Sequence, residues 1–398
     1  MDSLERNTER RSPVKKDLHR LKEWLGATEK SGVAHQVFIG FDGFVDKIQK
    51  AVKQKRSGNN LFFNSIHEFS EHIDSLTGRS GQIELVTIQT KAGGNAPILS
   101  SALGELNVKS FCIGSMGFPR INPLFQNITP QAEISSINAP GNSQAIEFND
   151  GKIILSDLSG FIDYDWNYVK KNSDLEKIRS SIRSCDLVAL VDWSNLPNAT
   201  DIWQGLLHDV IKVVNRKDFY FVFDLCDPSR RNSLEIDEML DLISSLSHYG
   251  KVTLALNENE ARKIWMALSG NDQVVGKDNS TTLFDIGSFI FYTMTIDTLL
   301  IHPRDRVFAF QKNKTLELTG RLVKEPKVQT GGGDNFNAGY CLGLMSGLPM
   351  DQLMLLSMTT AGAYVQNGKS ACIKDLINYL NNWATEIEKQ KDFDTMVA

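Results

Sequence analysis

The sequence predicts an α/β protein with a mostly parallel central sheet covered by helices on both faces. Two observations carry this. From Cys185 onward, short apolar runs, "DLVALVDW" (186–193), "FYFVFDL" (219–225), "KVTLAL" (251–256) and "DTLLIH" (297–302), alternate with helical segments of roughly 12–18 residues. Strands separated in this way by helices pair in parallel and are covered on both sides. The chain of 398 residues, 41% hydrophobic, is also long enough for one large domain or one domain with a smaller lobe.

The opening stretch, "MDSLERNTERRSPVKKDLHRLKEWLG", is charged and lacks an apolar signal core. It predicts a helical extension over residues 1–32 rather than a secretory signal. "HQVFIGF" (35–41) is the first buried strand, "NAPILSSALGEL" (95–106) a helix and "KSFCIGS" (109–115) the next strand. Residues 115–160 break the helical rhythm. There, two strand-like pieces flank Asn149-Asp150-Gly151, a hairpin signal. With "IELVTIQ" (83–89), this predicts a small β-rich lid drawn from about 54–90 and 115–160, set on a main domain over 33–385. Residues 350–370 form a helix closed by Asn367-Gly368, with Met354, Met358 and Ala361 in the core, and 386–398 are a tail.

Composition excludes several function classes. A net charge of −5 argues against a nucleic-acid surface. No run approaches a membrane span. The five scattered cysteines, Cys112, Cys185, Cys226, Cys341 and Cys372, form no C-x-x-C pair. They read as core residues in a reducing cytoplasm rather than as a zinc site or a disulfide framework. A dinucleotide fingerprint is absent after the first strand.

Four groups of polar residues fall where strands end, which is where ligands bind on such sheets. In "VQTGGGDNFNAGYCLGLMSG" (328–347), Gly331, Gly332 and Gly333 lead into a helix from Asn335 to Met345. Glycines before a helix start make an anion seat of exposed N–H groups. An acid there, Asp334, would compete with a bound phosphate, unless it takes a proton while the amides hold the developing charge. The alternative is that Asp334 simply caps the helix. In "FIGFDGFVDKI" (38–48), Asp42 and Asp46 suit hydroxyl recognition or helix capping. In "KAGGNAP" (91–97), Gly93 and Gly94 permit close approach, and Asn95 is either a ligand-binding amide or a helix cap. In "LNENEARKIW" (256–265), Asn257 and Glu260 either hold a hydrated divalent ion or form a capping box. In "FDLCDPSRRN" (223–232), Arg230 and Arg231 reach a phosphate or form a solvated turn.

Together these residues resemble the PfkB, or ribokinase-like, carbohydrate kinase family, in consistent order from about residue 36 to 378. Gly331-Gly332-Gly333-Asp334-Asn335-Phe336-Asn337-Ala338-Gly339 matches the second part of the family's D-T-x-G-A-G-D-x-F-x-A-G signature. Asn257 and Glu260 match its N-x-x-E, Asp46 its early substrate acid, Gly93-Gly94 its di-glycine, and Asp227-Pro228-Ser229-Arg230-Arg231 its D-P-N-x-R. The resemblance implies a three-layer α/β/α sandwich with a lid. It also implies phosphoryl transfer from ATP, with Mg²⁺, to a hydroxyl of a sugar or polyol. Asp334 would be the general base, with a seat built by Gly331, Gly332 and Gly333. Asp46, Asp42, Gly93, Gly94 and Asn95 would hold the acceptor. Asn257, Glu260, Arg231, Arg304, Asn367 and Gly368 would hold the nucleotide, and Asn257 and Glu260 the metal through water. A cytoplasmic enzyme, a homodimer formed through lid strands, and no nucleic-acid or membrane partner are further expectations. The sequence departs from the family at Val328-Gln329, where D-T is usual, which argues against a monovalent-cation site. It departs again at "HPRDRV" (302–307), where Arg304 or Arg306 would replace a G-x-x-G turn, and at Ile98. The extra length resembles ADP-dependent sugar kinases of the same superfamily, so ADP is the alternative donor. A catalytically weak sugar-binding or regulatory relative is the alternative function.

Overall fold

The computed structural model describes residues 8–56, 59–126, 128–270, 281–328 and 330–397, with side chains through Lys389. Gln329 and the first seven residues of the expected N-terminal extension lie outside that range. The strands in chain order are β1 (Thr8–Arg11), β2 (Gln36–Phe41), β3 (Phe44–Gln54), β4 (Leu61–Phe62), β5 (Leu85–Gly93), β6 (Lys109–Gly114), β7 (Ala132–Ser136), β8 (Gly141–Phe148), β9 (Gly151–Asp157), β10 (Leu187–Val191), β11 (Phe219–Asp224), β12 (Gly250–Leu256), β13 (Thr298–Ile301), β14 (Arg306–Gln311) and β15 (Lys314–Thr319).

The large sheet has the order β1-β15-β14-β13-β12-β11-β10-β2-β6-β7. It is parallel from β7 through β13, and β14 and β15 add an antiparallel meander. Alternate side chains of each strand enter opposite cores. Phe38, Phe111, Val188, Leu190, Phe221 and Phe223 point to one face, and Val37, Ile39, Cys112, Leu187, Ala189 and Val222 to the other. Both sides are dry, so these strands are apolar throughout, as the sequence predicts for a covered parallel sheet.

The N-terminal segment is helical over Lys15–Ser31, as expected, but it is part of the main domain rather than an appendage. Strand β1 pairs with β15, and Leu18, Leu21 and Leu25 are fully buried. At the other end, residues expected to form a tail from 386 continue a helix that begins at Ile373. Arg321 docks this helix by stacking on Tyr379 (4.6 Å) and pairing with Glu386 (2.6 Å).

The lid is a second sheet in which β3 pairs with β4, β5 and β8, and β8 with β9. The expected hairpin is β8–β9, and "IELVTIQ" falls largely in β5. Two boundaries differ from expectation. The lid begins at Phe44, ahead of residue 54, and β7 joins the main sheet instead of the lid. Strand β3 is hidden in the sequence because Asp46, Lys47, Gln49 and Lys50 leave no apolar alternation. Its small core is Ala51, Phe63, Phe69 and Ile146, closed by helix Ile66–Ser75.

Candidate active site

Five chain segments leave the carboxyl edge of the sheet carrying polar groups: Asp42 after β2, Asp192 after β10, Asp224 at the end of β11, Asn257 after β12 and His302 after β13. The N-terminus of helix Gly332–Met345 carries Gly333 to this edge. A Cβ there would stand 3.8 Å from His302 and 3.9 Å from Asp224.

Gly331 is the N-cap of that helix, in the left-handed region with φ 83°. Gly332 and Gly333 form its first turn, so their N–H groups are among the four a helix leaves unpaired. Asp334 is the third helical residue, not the cap, so the capping alternative falls away. The residue is 6% exposed, and its buried Oδ1 has no hydrogen-bond partner. Burial pushes it well above the usual carboxylate range, and the charges of Asp224 and Asp192 push it further, while the Asn95 side chain pulls the other way.

The early acids divide into two roles. Asp42 is fully buried and accepts from the N–H of Asn95 (2.6 Å) and Ala96 (2.8 Å). It caps helix Asn95–Glu105 from the turn between β2 and β3, because the N-cap, Gly94, has no side chain. Asp42 therefore holds the di-glycine turn rather than facing an acceptor. The cap expected of Asn95 is likewise supplied by Asp42, which leaves the Asn95 side chain beside Asp334. Asp46, on β3, accepts from Ser143 Oγ (2.6 Å) through Oδ1 only. Burial raises its pKa, against Ser143, Lys91 and Lys152. Any side chain at Gly93 would collide with the Asp46 carboxyl, and one at Gly94 (φ 93°) with Asp42. The two glycines are thus fixed by the two acids.

Asn257 and Glu260 form a full capping box. Glu260 is nevertheless buried, and burial and the charge of Asp224 push its carboxyl group well above the usual range. Arg231 differs from expectation. Its guanidinium stacks on Trp193 (4.6 Å) and donates to the carbonyls of Trp193, Leu196 and Pro197, so it braces a loop and does not face a phosphate. Arg230 is exposed and bonded to Asn195. Arg306 is held by Asp305 and Glu317, whereas Arg304 is exposed. Asn367 ends helix Met350–Asn367 and Gly368 (φ 79°) is its C-cap, packed against Lys327 and Val328 on the approach to the glycine turn.

Two acids at this edge, Asp192 and Asp224, belong to none of the sequence motifs. Asp192 is 1% exposed, its Oδ2 has no hydrogen-bond partner, and burial pushes it up to about 6. Asp224 accepts from Asn337 Nδ2 (2.7 Å). The readable signal was an acid closing each of "LVALVD" and "FYFVFD", at equivalent ends of neighbouring strands. Asp192 and Cys226 both adopt left-handed backbone (φ 57° and 60°), a concentration of strain that accompanies ligand sites. Among the described residues, no lysine or arginine pairs with Asp42, Asp192, Asp224, Glu260 or Asp334, so this edge carries a surplus of buried acid.

Comparison with known proteins identifies the family and the fold. The profile of the prokaryotic ketohexokinase family matches residues 15–383. A ketohexokinase from Haloferax volcanii is 20% identical over 344 residues, covering 86% of this chain and 89% of the relative. Among solved structures, a ribokinase from Thermotoga maritima superposes with TM-score 0.59 at 13% identity, covering 88% of this chain and all of that one. The Arabidopsis thaliana ribokinase complexed with ribose and ATP gives 0.58 at 13% identity, covering 87% and 98%. A carbohydrate kinase from Agrobacterium tumefaciens gives 0.58 at 16%, covering 87% and 97%. The structural matches show a ribokinase fold, and the family match is nearly as long as the chain: this protein belongs to the prokaryotic ketohexokinase family and is a carbohydrate kinase.

Proposed function

We propose that the chain is an ATP-dependent ketohexokinase, transferring the γ-phosphoryl group to a hydroxyl of a ketohexose with Asp334 as general base. The observation that carries this reading is the Asp334 carboxyl group itself: buried, unpartnered at Oδ1, and in the first turn of a glycine-opened helix. The family name supports the ketohexose, and the ATP complex of the Arabidopsis ribokinase supports the donor.

In this mechanism the acceptor hydroxyl gives its proton to Asp334 as its oxygen bonds to the γ-phosphorus. The bond from that phosphorus to the β–γ bridging oxygen breaks, and ADP leaves. A raised pKa makes Asp334 a better proton acceptor than an ordinary carboxylate. The main-chain N–H groups of 331–334 face the charge on the transferring oxygens, the larger part of catalysis in such chemistry. Asp46, with Oδ2 left over from the Ser143 bond, and Asn95 orient the acceptor. Arg230 and Arg304 attract the donor phosphates, and Asn367 and Gly368 flank the base. The lid keeps water from competing as acceptor.

The residues fit Mg²⁺. Buried Glu260, with no cationic partner among the described residues, is an acid that a divalent ion would satisfy. Among the described residues no three His, Cys, Asp or Glu converge to hold a metal directly, which suits an ion bound largely through water and phosphate. When bound, Mg²⁺ neutralises charge on the donor phosphates. The test is Asp334→Asn, assayed with a panel of ketohexoses and with ATP or ADP. The expected result is a kcat lower by about 10²–10⁴-fold with the fold intact. Turnover that survives the change would sink the mechanism.

A further inference from the structure

Helices Gly332–Met345 and Met350–Asn367 pack antiparallel through glycines. Gly343 lies against Leu353 and Leu356, and Gly339 against Ser357 and Thr360. The same register brings Tyr364, in the last turn of the second helix, level with Gly331. A Cβ on Gly331 would fall 2.6 Å from the Tyr364 hydroxyl oxygen. The phenol is thus pressed onto the turn that forms the anion seat.

The residue is 7% exposed, but its hydroxyl oxygen is not sealed off: among the described residues it has no hydrogen bond, and it keeps an opening to solvent beside Gly331. A phenylalanine would fill the same space against Gly331. A hydroxyl open to a cleft at this turn is free to meet a ligand. Burial raises the phenol to about 12, and the charges of both Asp334 and Asp46 push the same way. It therefore stays a donor, placed by the helix register beside Gly331, three residues before Asp334.

We propose that Tyr364 is a substrate-contacting residue: its hydroxyl donates a hydrogen bond to the acceptor sugar between Asp334 and Asp46, and its ring screens the reacting hydroxyl from water. This rests on the reading of that space as the acceptor site. It adds a contact that no sequence motif marks, one turn before Asn367 on the same helix.

The experiment is Tyr364→Phe, which keeps the ring and its packing, assayed on whichever sugar of the panel the wild type phosphorylates. Loss of one neutral hydrogen bond predicts a KM for the sugar raised about tenfold, with kcat within about threefold. The KM for ATP and the melting temperature should not move. An unchanged sugar KM, or equal rises in both KM values, overturns the proposal. Asp334→Asn on the same acceptor separates the two ideas. If that variant keeps its turnover while Tyr364→Phe still raises the sugar KM, the base assignment fails and the tyrosine contact stands.

Discussion

Asp192 shows how a single side chain records the demands of this site. It stands in the left-handed region, 1% exposed, with one oxygen unpartnered and its pKa pushed to about 6 by burial. Because the folded value lies above the unfolded one of 3.8, the folded protein holds this proton more tightly. The stabilisation from that proton is complete below about pH 4 and disappears as pH rises through about 6. Asn suits the left-handed backbone and still accepts from Asn195 through its amide oxygen. Asp192→Asn should therefore change stability little at pH 4.5 and raise it by about 1–3 kcal/mol at pH 8, read from urea unfolding of the ligand-free protein. A gain equal at both pH values would show that the carboxyl group is not what costs stability. Gly331 is constrained from two directions, since a side chain there would be strained by φ 83° and would meet Tyr364.

At the scale of elements, the site is held by side chains that fasten loops. Asp42 caps helix Asn95–Glu105 from the turn between β2 and β3, which leaves the Asn95 side chain beside Asp334. Arg231 ties the loop after β10 to the turn after β11 through three carbonyls and the face of Trp193. Replacing it removes partners from buried acceptors, each loss costing about 1–3 kcal/mol. Arg231→Met should then lower stability while leaving the KM for ATP within about twofold. Arg304→Ala, at an exposed cation proposed to attract the donor phosphates, should do the reverse and raise that KM about fivefold or more. Steady-state kinetics beside thermal unfolding distinguishes the two, and a large ATP effect at Arg231 would return it to the nucleotide site.

For the whole molecule, the N-terminal segment is structural. Strand β1 closes one edge of the large sheet, and the helix Lys15–Ser31 packs on the helices Met350–Asn367 and Ile373–Val397 through fully buried Leu18, Leu21 and Leu25. Emptying one such leucine site costs about 2–5 kcal/mol, against a total stability of about 5–15 kcal/mol for a typical domain. A chain starting at residue 33 should show no cooperative thermal transition and should be insoluble. A soluble, cooperatively melting truncation would mean that the segment is a dispensable cover.

The sequence alone determined the layered α/β class, most strand positions and the glycine-led helix. These rest on local properties: unbroken apolar runs mark covered strands, and consecutive glycines before a helix have few structural uses. It also marked Asp46, Asn95, Glu260 and Asp334 as candidates, each in its own short motif. Tertiary structure decided which of two acceptable roles each ambiguous residue takes. Asp42 and Arg231 became fasteners because their partners come from distant segments, which no local spacing reveals. Asp192 and Asp224 came to one edge only when neighbouring strands ended there, and Tyr364 met Gly331 only when two helices packed in one register. The hydrogen-bond partners and charges that define a role belong to the assembled edge of the sheet, not to any stretch of chain read by itself.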